Sequence, residues 1–144
     1  MRFVLDCSVA ISWCMPDENN DYARAVLLFL FQNNQAVVPS FWWLEIINVL
    51  LVAERRNRTT EEETAKALAM LKSLPIVVDT KTTSASINAT LALGREQGLA
   101  AYDTAYIELA IRERLLLATL DRRQAEAARR YGVFLEERTE GEIR

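Results

Sequence analysis

Short apolar runs alternate with longer amphipathic stretches along the whole chain. Phe3-Val4-Leu5, closed by Asp6, is too short for a helix and reads as a buried strand from Arg2 to Asp6. Ala36-Val37-Val38, closed by Pro39, is a second such run; Ile76-Val77-Val78 is a third and Leu115 to Thr119 a fourth. Val133-Phe134-Leu135 is a candidate fifth. Between these runs the pattern is helical. Ser8 to Cys14 holds no Gly or Pro and predicts a short helical turn. Pro16 suits the first turn of a helix that Tyr22, Ala25, Val26, Leu28, Phe29 and Leu30 carry to Gln32. Ser40 predicts the N-cap of a helix reaching about Arg56. Thr59 or Thr60, with Glu62 or Glu63 three residues on, predicts a capping box and a helix to Lys72, stopped by Pro75. Further helices read from Thr82 to Gln97, Tyr102 to Arg114 and Arg122 to Tyr131, the first and last closed by Gly98 and Gly132.

Strands separated by helices imply a parallel sheet covered on both faces. The expected fold is therefore α/β, a three-layer α/β/α sandwich with four to five strands. No linker or repeat divides it, so residues 1–144 read as one domain, with a charged tail from Glu136 to Arg144 expected to be mobile. In such sheets ligands bind outside the carboxyl ends of the strands.

Composition removes several classes of chemistry. The chain has no histidine. That excludes a Ser-His-Asp triad, a Cys-His pair and an HExxH zinc site. Cys7 and Cys14 make no CxxC pattern and read as reduced thiols in a cytoplasmic protein. The opening apolar run is too short for a signal peptide, and no stretch reaches a membrane span. A net charge of −3 does not suit bulk nucleic-acid binding. Local clusters remain at Arg55, Arg56 and Arg58, at Arg122 and Arg123, and at Arg129 and Arg130. These are either solvated helix faces or phosphate contacts, with Arg55, Arg56, Arg122 and Arg123 the candidates for holding phosphates.

Four acids stand against apolar surroundings. Asp6 ends the first strand, Glu45 interrupts Phe41-Trp42-Trp43-Leu44 and Ile46-Ile47, Asp103 opens Thr104-Ala105-Tyr106-Ile107, and Asp121 follows the fourth strand. Carboxylates are seldom buried without a partner or a metal. Converging, they would need a hard cation with a preference for oxygen, such as Mg²⁺. Each has a plainer explanation. Asp6, Asp103 and Asp121 each precede a helix and can cap it. Glu45, on a helix apolar nearly all round, can pair with a buried arginine. Asp79 also ends a strand, and capping the next helix accounts for it.

Four blocks carry a resemblance over essentially the whole chain. They are Val4-Leu5-Asp6-Cys7-Ser8, Leu44-Glu45-Ile46-Ile47-Asn48, Ala101-Tyr102-Asp103-Thr104-Ala105-Tyr106-Ile107-Glu108-Leu109-Ala110, and Ala118-Thr119-Leu120-Asp121. In this order and at these separations the chain resembles the PIN-domain ribonucleases, and within them the VapC-type toxins of toxin–antitoxin pairs. The resemblance implies an acidic quartet of Asp6, Glu45, Asp103 and Asp121, with Ser8, Asn48 and Thr119 as supporting polar residues. It implies Mg²⁺- or Mn²⁺-dependent endonucleolytic cleavage of RNA, a homodimer, and a VapB-type antitoxin whose tail covers the site. Cys7 stands where Ala or Thr is commoner in the family and is expected to face away from the chemistry.

Charge suggests the division of labour. Asp6 and Asp103 would hold most of a cation, Asp121 would complete its shell, and Glu45 would bind through water or serve as base. Attack by water on phosphorus would leave a 5′-phosphate and a 3′-hydroxyl. Phe29, Leu30, Phe31, Phe41, Trp42 and Trp43 exceed what two helices need for one core, which suits a partner surface. Two other classes fit the pattern. One is a non-catalytic PIN module binding RNA or protein. The other is a phospho-receiver-like domain, which would want adjacent acids after the first strand, where Cys7 and Ser8 stand instead.

Overall fold

A strand buried on both faces belongs at the centre of a sheet, and Phe3, Val4 and Leu5 are all fully buried. In the computed structural model, which describes residues 1–139 and 142–143 with side chains to residue 137, they form β1 (Arg2–Leu5). β1 pairs in parallel with β2 (Gln35–Val38) on one side and β4 (Leu117–Ala118) on the other. β3 (Ile76–Val78) pairs in parallel with the far side of β2. The order β3-β2-β1-β4 reverses direction between β1 and β4. That reversal is the crevice where parallel sheets place their sites.

Seven helices are present among the described residues. α1 (Cys7–Cys14) packs against α2 (Asp21–Phe31), α3 (Trp42–Arg55) and α4 (Glu61–Ser73). α6 (Ala101–Glu113) packs against β1 and β4, between α5 (Ser84–Gln97) and α7 (Arg122–Arg130). Two helical layers thus enclose the sheet, giving the α/β/α sandwich. No helix among the described residues is long and apolar enough to cross a membrane.

Most boundaries follow the sequence pattern, and the exceptions have local causes. The capping box of α4 is Thr60 with Glu63. α2 begins later than expected, because Asn20 accepts a hydrogen bond from the Ala23 amide at 2.9 Å while Pro16 stays in the preceding turn. Ser40 does not cap α3; Phe41 holds that position without a side-chain bond. Asp79 does not cap α5, since Thr83 does. Val133 to Leu135 contributes only a single parallel bridge, Phe134 to Leu117. In the tail, Glu137–Thr139 (β5) and Glu142–Ile143 (β6) pair as a short antiparallel ribbon, with β6 against α2. Residues 140, 141 and 144 of the charged tail lie outside the described residues.

The apolar surplus is divided differently from the expectation. Leu30 and Trp42 are buried, and Phe29, Phe41 and Trp43 pack partly against the core. Phe31 is exposed, along with Leu28 one turn before it. On α3 the exposed large apolar residues are Leu44, Ile47 and Leu51, a stripe at helical spacing.

Candidate active site

Asp6 leaves β1 and enters the N-cap of α1, so its side chain is fixed by both elements. Its Oδ2 accepts from the Ser8 amide at 3.3 Å, the Ser8 hydroxyl at 2.5 Å and the Thr119 hydroxyl at 3.0 Å. Its Oδ1 accepts no hydrogen bond among the described residues, and no cation pairs with it. The residue is almost wholly buried. Burial pushes its carboxyl above the usual range, the Ser8 and Thr119 donors oppose that rise, and the Asp103 charge adds to it.

Thr119 and Ser8 knit the crevice across the two strands. The Ser8 hydroxyl accepts from the Leu120 amide at 3.0 Å, and the Thr119 hydroxyl accepts from the Asp121 amide at 3.0 Å. Asp121 is exposed and caps α7, accepting from the Gln124 amide at 2.8 Å. Gln124 is fully buried. Its side-chain oxygen lies 2.6 Å from the Thr119 hydroxyl, and its side-chain nitrogen donates to the Asp103 carbonyl at 3.0 Å. One glutamine therefore ties β4, α6 and α7 together behind the acids.

Asp103 lies in the first turn of α6 and is not a cap, since Ala100 holds that place. Its carboxyl is raised by burial first and the Asp121 charge second, and lowered by Arg123. Arg123 is anchored by donating to the Gly98 carbonyl at 2.8 Å. Gly98 closes α5 in the left-handed conformation at φ 65°, which glycine adopts without strain.

Among the described residues Glu45 meets no arginine. It accepts from the buried Tyr106 hydroxyl at 2.5 Å. Burial raises its carboxyl, the Tyr106 bond lowers it, and Asp6 and Asp103 raise it again. The buried acid–arginine arrangement belongs instead to Glu108, which Arg112 joins at 2.9 Å while also reaching Asp79 at 2.8 Å. A cavity of about 260 Å³ between Phe41, Asp79 and Arg112 lies apart from the four acids.

The charges of Asp6, Glu45 and Asp103 thus act on one another, Asp121 acts on Asp103 alone, and Ser8 and Thr119 sit on Asp6. The fold does not gather everything expected. Asn48 is exposed and makes no side-chain hydrogen bond among the described residues. Arg55 and Arg56 sit at the far end of α3, ten residues and about 15 Å along the axis from Glu45. Arg122 is exposed at the start of α7. Cys7 does not face away: its thiol is pushed up by burial and by the charges of Asp6, Glu45 and Asp103, and it meets Tyr106. The first residue of a helix, not a continuing strand, turns it toward the site.

Gln124 and Tyr106 were not singled out from the sequence. Gln124 stands three residues after Asp121, the capping-box spacing, which was the available signal. Tyr106 stands three residues after Asp103, on the same helix face, which was the other.

The donors suit a hard cation in kind. All are oxygens, one carboxylate is buried with an open oxygen, and among the described residues Arg123, acting on Asp103, is the counter-charge to the crowded acids. Among the described residues no three acids or thiols stand close enough to form a ready shell. Asp121 meanwhile serves its own helix terminus.

Residues 3–130 match the family model of the PIN domain. No curated protein sequence matches the chain. Several solved structures share the fold. PAE2754 from Pyrobaculum aerophilum superimposes with a TM-score of 0.68 at 17% identity, over 88% of this chain and 84% of that one. VapBC2 from Rickettsia felis, bound to a DNA fragment from its promoter, gives 0.63 at 16%, over 95% and 98%. VapC20 from Mycobacterium tuberculosis, a toxin that cleaves the sarcin–ricin loop, gives 0.62 at 14%, over 87% and 94%.

Proposed function

Because the chain belongs to the PIN-domain family, we propose that it is a Mg²⁺- or Mn²⁺-dependent endoribonuclease of the VapC type, the toxin of a toxin–antitoxin pair. The observation that carries the reading is Asp6: a buried carboxylate with an open oxygen, no cationic partner, and other acids in its field.

Asp6 and Asp103 would hold the cation, and Asp121, which now caps α7, would complete the set. The cation, when bound, supplies acidity to water and charge against the phosphate oxygens. Ser8 and Thr119 fix Oδ2 of Asp6, which leaves Oδ1 to the ligand. Tyr106 fixes Glu45 and keeps it a proton acceptor by stabilising its ionised form. Arg123, held on the Gly98 carbonyl, faces the phosphate backbone; Arg122 beside it is the second phosphate contact, and Arg55 and Arg56 touch only a long substrate. Water and not the 2′-hydroxyl attacks, so the products carry a 5′-phosphate and a 3′-hydroxyl.

The partner is a VapB-type antitoxin, and the toxin is a homodimer acting in the cytoplasm. The exposed stripe Leu44, Ile47 and Leu51, on the helix that carries Glu45, supports a partner that reaches the site. A complex of this kind is named among the structural neighbours.

The test is cleavage of a mixed cellular RNA pool by antitoxin-free protein with Mn²⁺ or Mg²⁺, with EDTA and Asp6→Asn as controls. Fragments with 5′-phosphates, absent from both controls, are expected. A 2′,3′-cyclic phosphate would reject the mechanism, and no cleavage by metal-bound protein would favour a non-catalytic PIN module.

A further inference from the structure

An acidic site has to hold a polyanion, and charge alone opposes it. The four carboxylates repel phosphate, and the chain carries a net −3. Affinity that does not depend on charge has to come from elsewhere, and a base stacked on an aromatic ring supplies it.

Tyr102 is placed for that contact. It is the second residue of α6 and directly precedes Asp103. It is 63% exposed, an unusual state for a large aromatic beside a buried cluster. The ring is nevertheless fixed. Phe41 meets it at 5.3 Å between centroids and an interplanar angle of 82°. The same Phe41 meets Tyr106 at 5.8 Å and 88°, and Tyr106 bonds Glu45. Tyr102, Phe41, Tyr106 and Glu45 thus form a continuous relay of contacts from solvent into the acids. The Tyr102 hydroxyl has no hydrogen-bond partner among the described residues, so a bond does not explain its position. From α7, Arg123 brings a cation to the same Asp103.

We propose that Tyr102 is a stacking platform for an unpaired RNA base, and that it seats the nucleotide whose phosphodiester lies at Asp103. The inference rests on the ribonuclease reading above. A platform of this kind accepts every base, because each has a flat face, and it requires the target to be single-stranded there. It makes Tyr102 a positioning residue for substrate, with no part in proton transfer.

The experiment uses full-length, antitoxin-free protein with Mn²⁺ and a single-stranded RNA oligonucleotide containing one cleavage site. Tyr102→Ala and Tyr102→Leu are expected to raise KM about five- to a hundredfold, the range for losing one stacked base, with kcat within about twofold. Tyr102→Phe is expected to match wild type. An abasic scan of the oligonucleotide, which needs only wild-type protein, is expected to find one nucleotide beside the cleaved bond whose loss raises KM equally. That abasic substrate is expected to give no further loss with Tyr102→Ala. Unchanged KM in Tyr102→Ala, or an abasic scan with no sensitive position, overturns the platform. A fall in kcat alone assigns Tyr102 a structural part and overturns it too. Loss of dimerisation in gel filtration, with cleavage intact, assigns the ring to a second copy. Wild-type protein that binds metal and cuts no RNA removes the ribonuclease reading and the platform with it, whereas cleavage indifferent to Tyr102 removes the platform alone.

Discussion

Asp6 has two duties on one carboxylate: Oδ2 caps α1 and is braced by Thr119, while Oδ1 is left open. Gln124 maintains that bracing from behind. Gln124→Ala removes the links from α7 to the Thr119 hydroxyl and to the Asp103 carbonyl and opens a void at a fully buried position. It is expected to destabilise the protein by about 1–3 kcal/mol in urea unfolding and to lower kcat. Tyr106→Phe removes the bond to Glu45 and the hydroxyl's contact with the Cys7 thiol. That bond lowers the Glu45 pKa, so its loss is expected to move the acid limb of the rate–pH profile to higher pH. The acids themselves were legible in the sequence because a charge inside an apolar run contradicts its surroundings. Gln124 and Tyr106 were not, because a glutamine at a helix start and a tyrosine in an apolar helix are both ordinary. Their meaning lies in partners 21 and 61 positions away.

The elements converge carboxylates without neutralising them, and folding without metal should register this. Asp6, Glu45 and Asp103 all have folded pKa values raised above their ordinary ones, by burial first and by neighbouring charge after it. The folded state therefore binds more protons than the unfolded one above about pH 4. Metal-free stability is expected to fall as pH rises from there through the raised values, so Tm in EDTA should be higher at pH 5 than at pH 7. Added Mn²⁺ should narrow that difference. Asp103→Asn removes one of the repelling charges, and is expected to abolish cleavage while leaving metal-free Tm equal or higher. A large fall in Tm would instead give Asp103 a structural part. Arg112 does the opposite work, joining Glu108 of α6 to Asp79 after β3. Arg112→Ala is expected to destabilise by about 2–4 kcal/mol in urea unfolding, because two poorly hydrated acids lose their partner. The periodicity of the chain predicted the parallel α/β layers. It did not give the starts of α2 and α3, because Pro16 and Ser40 are permissive signals and the caps actually used depend on where the chain turns.

At the scale of the molecule, the exposed stripe on α3 is unused by this chain's own core. Ile47→Glu with Leu51→Lys is expected to change stability by less than about 0.5 kcal/mol per site, since surface positions carry little. It should leave RNA cleavage intact and abolish co-purification with the antitoxin. Retained capture would move the partner surface to Leu28 and Phe31 of α2. The joining of β1 to β4 has a consequence of another kind. Asp6 and Thr119 meet across 113 positions of sequence. A chain emerging from a ribosome carries Asp6 and Glu45 long before, and Asp103 shortly before, the strand that braces the first of them. A product released before Leu117 lacks both β4 and the Thr119 brace on Asp6. The brace on the proposed site is therefore among the last contacts that synthesis can complete.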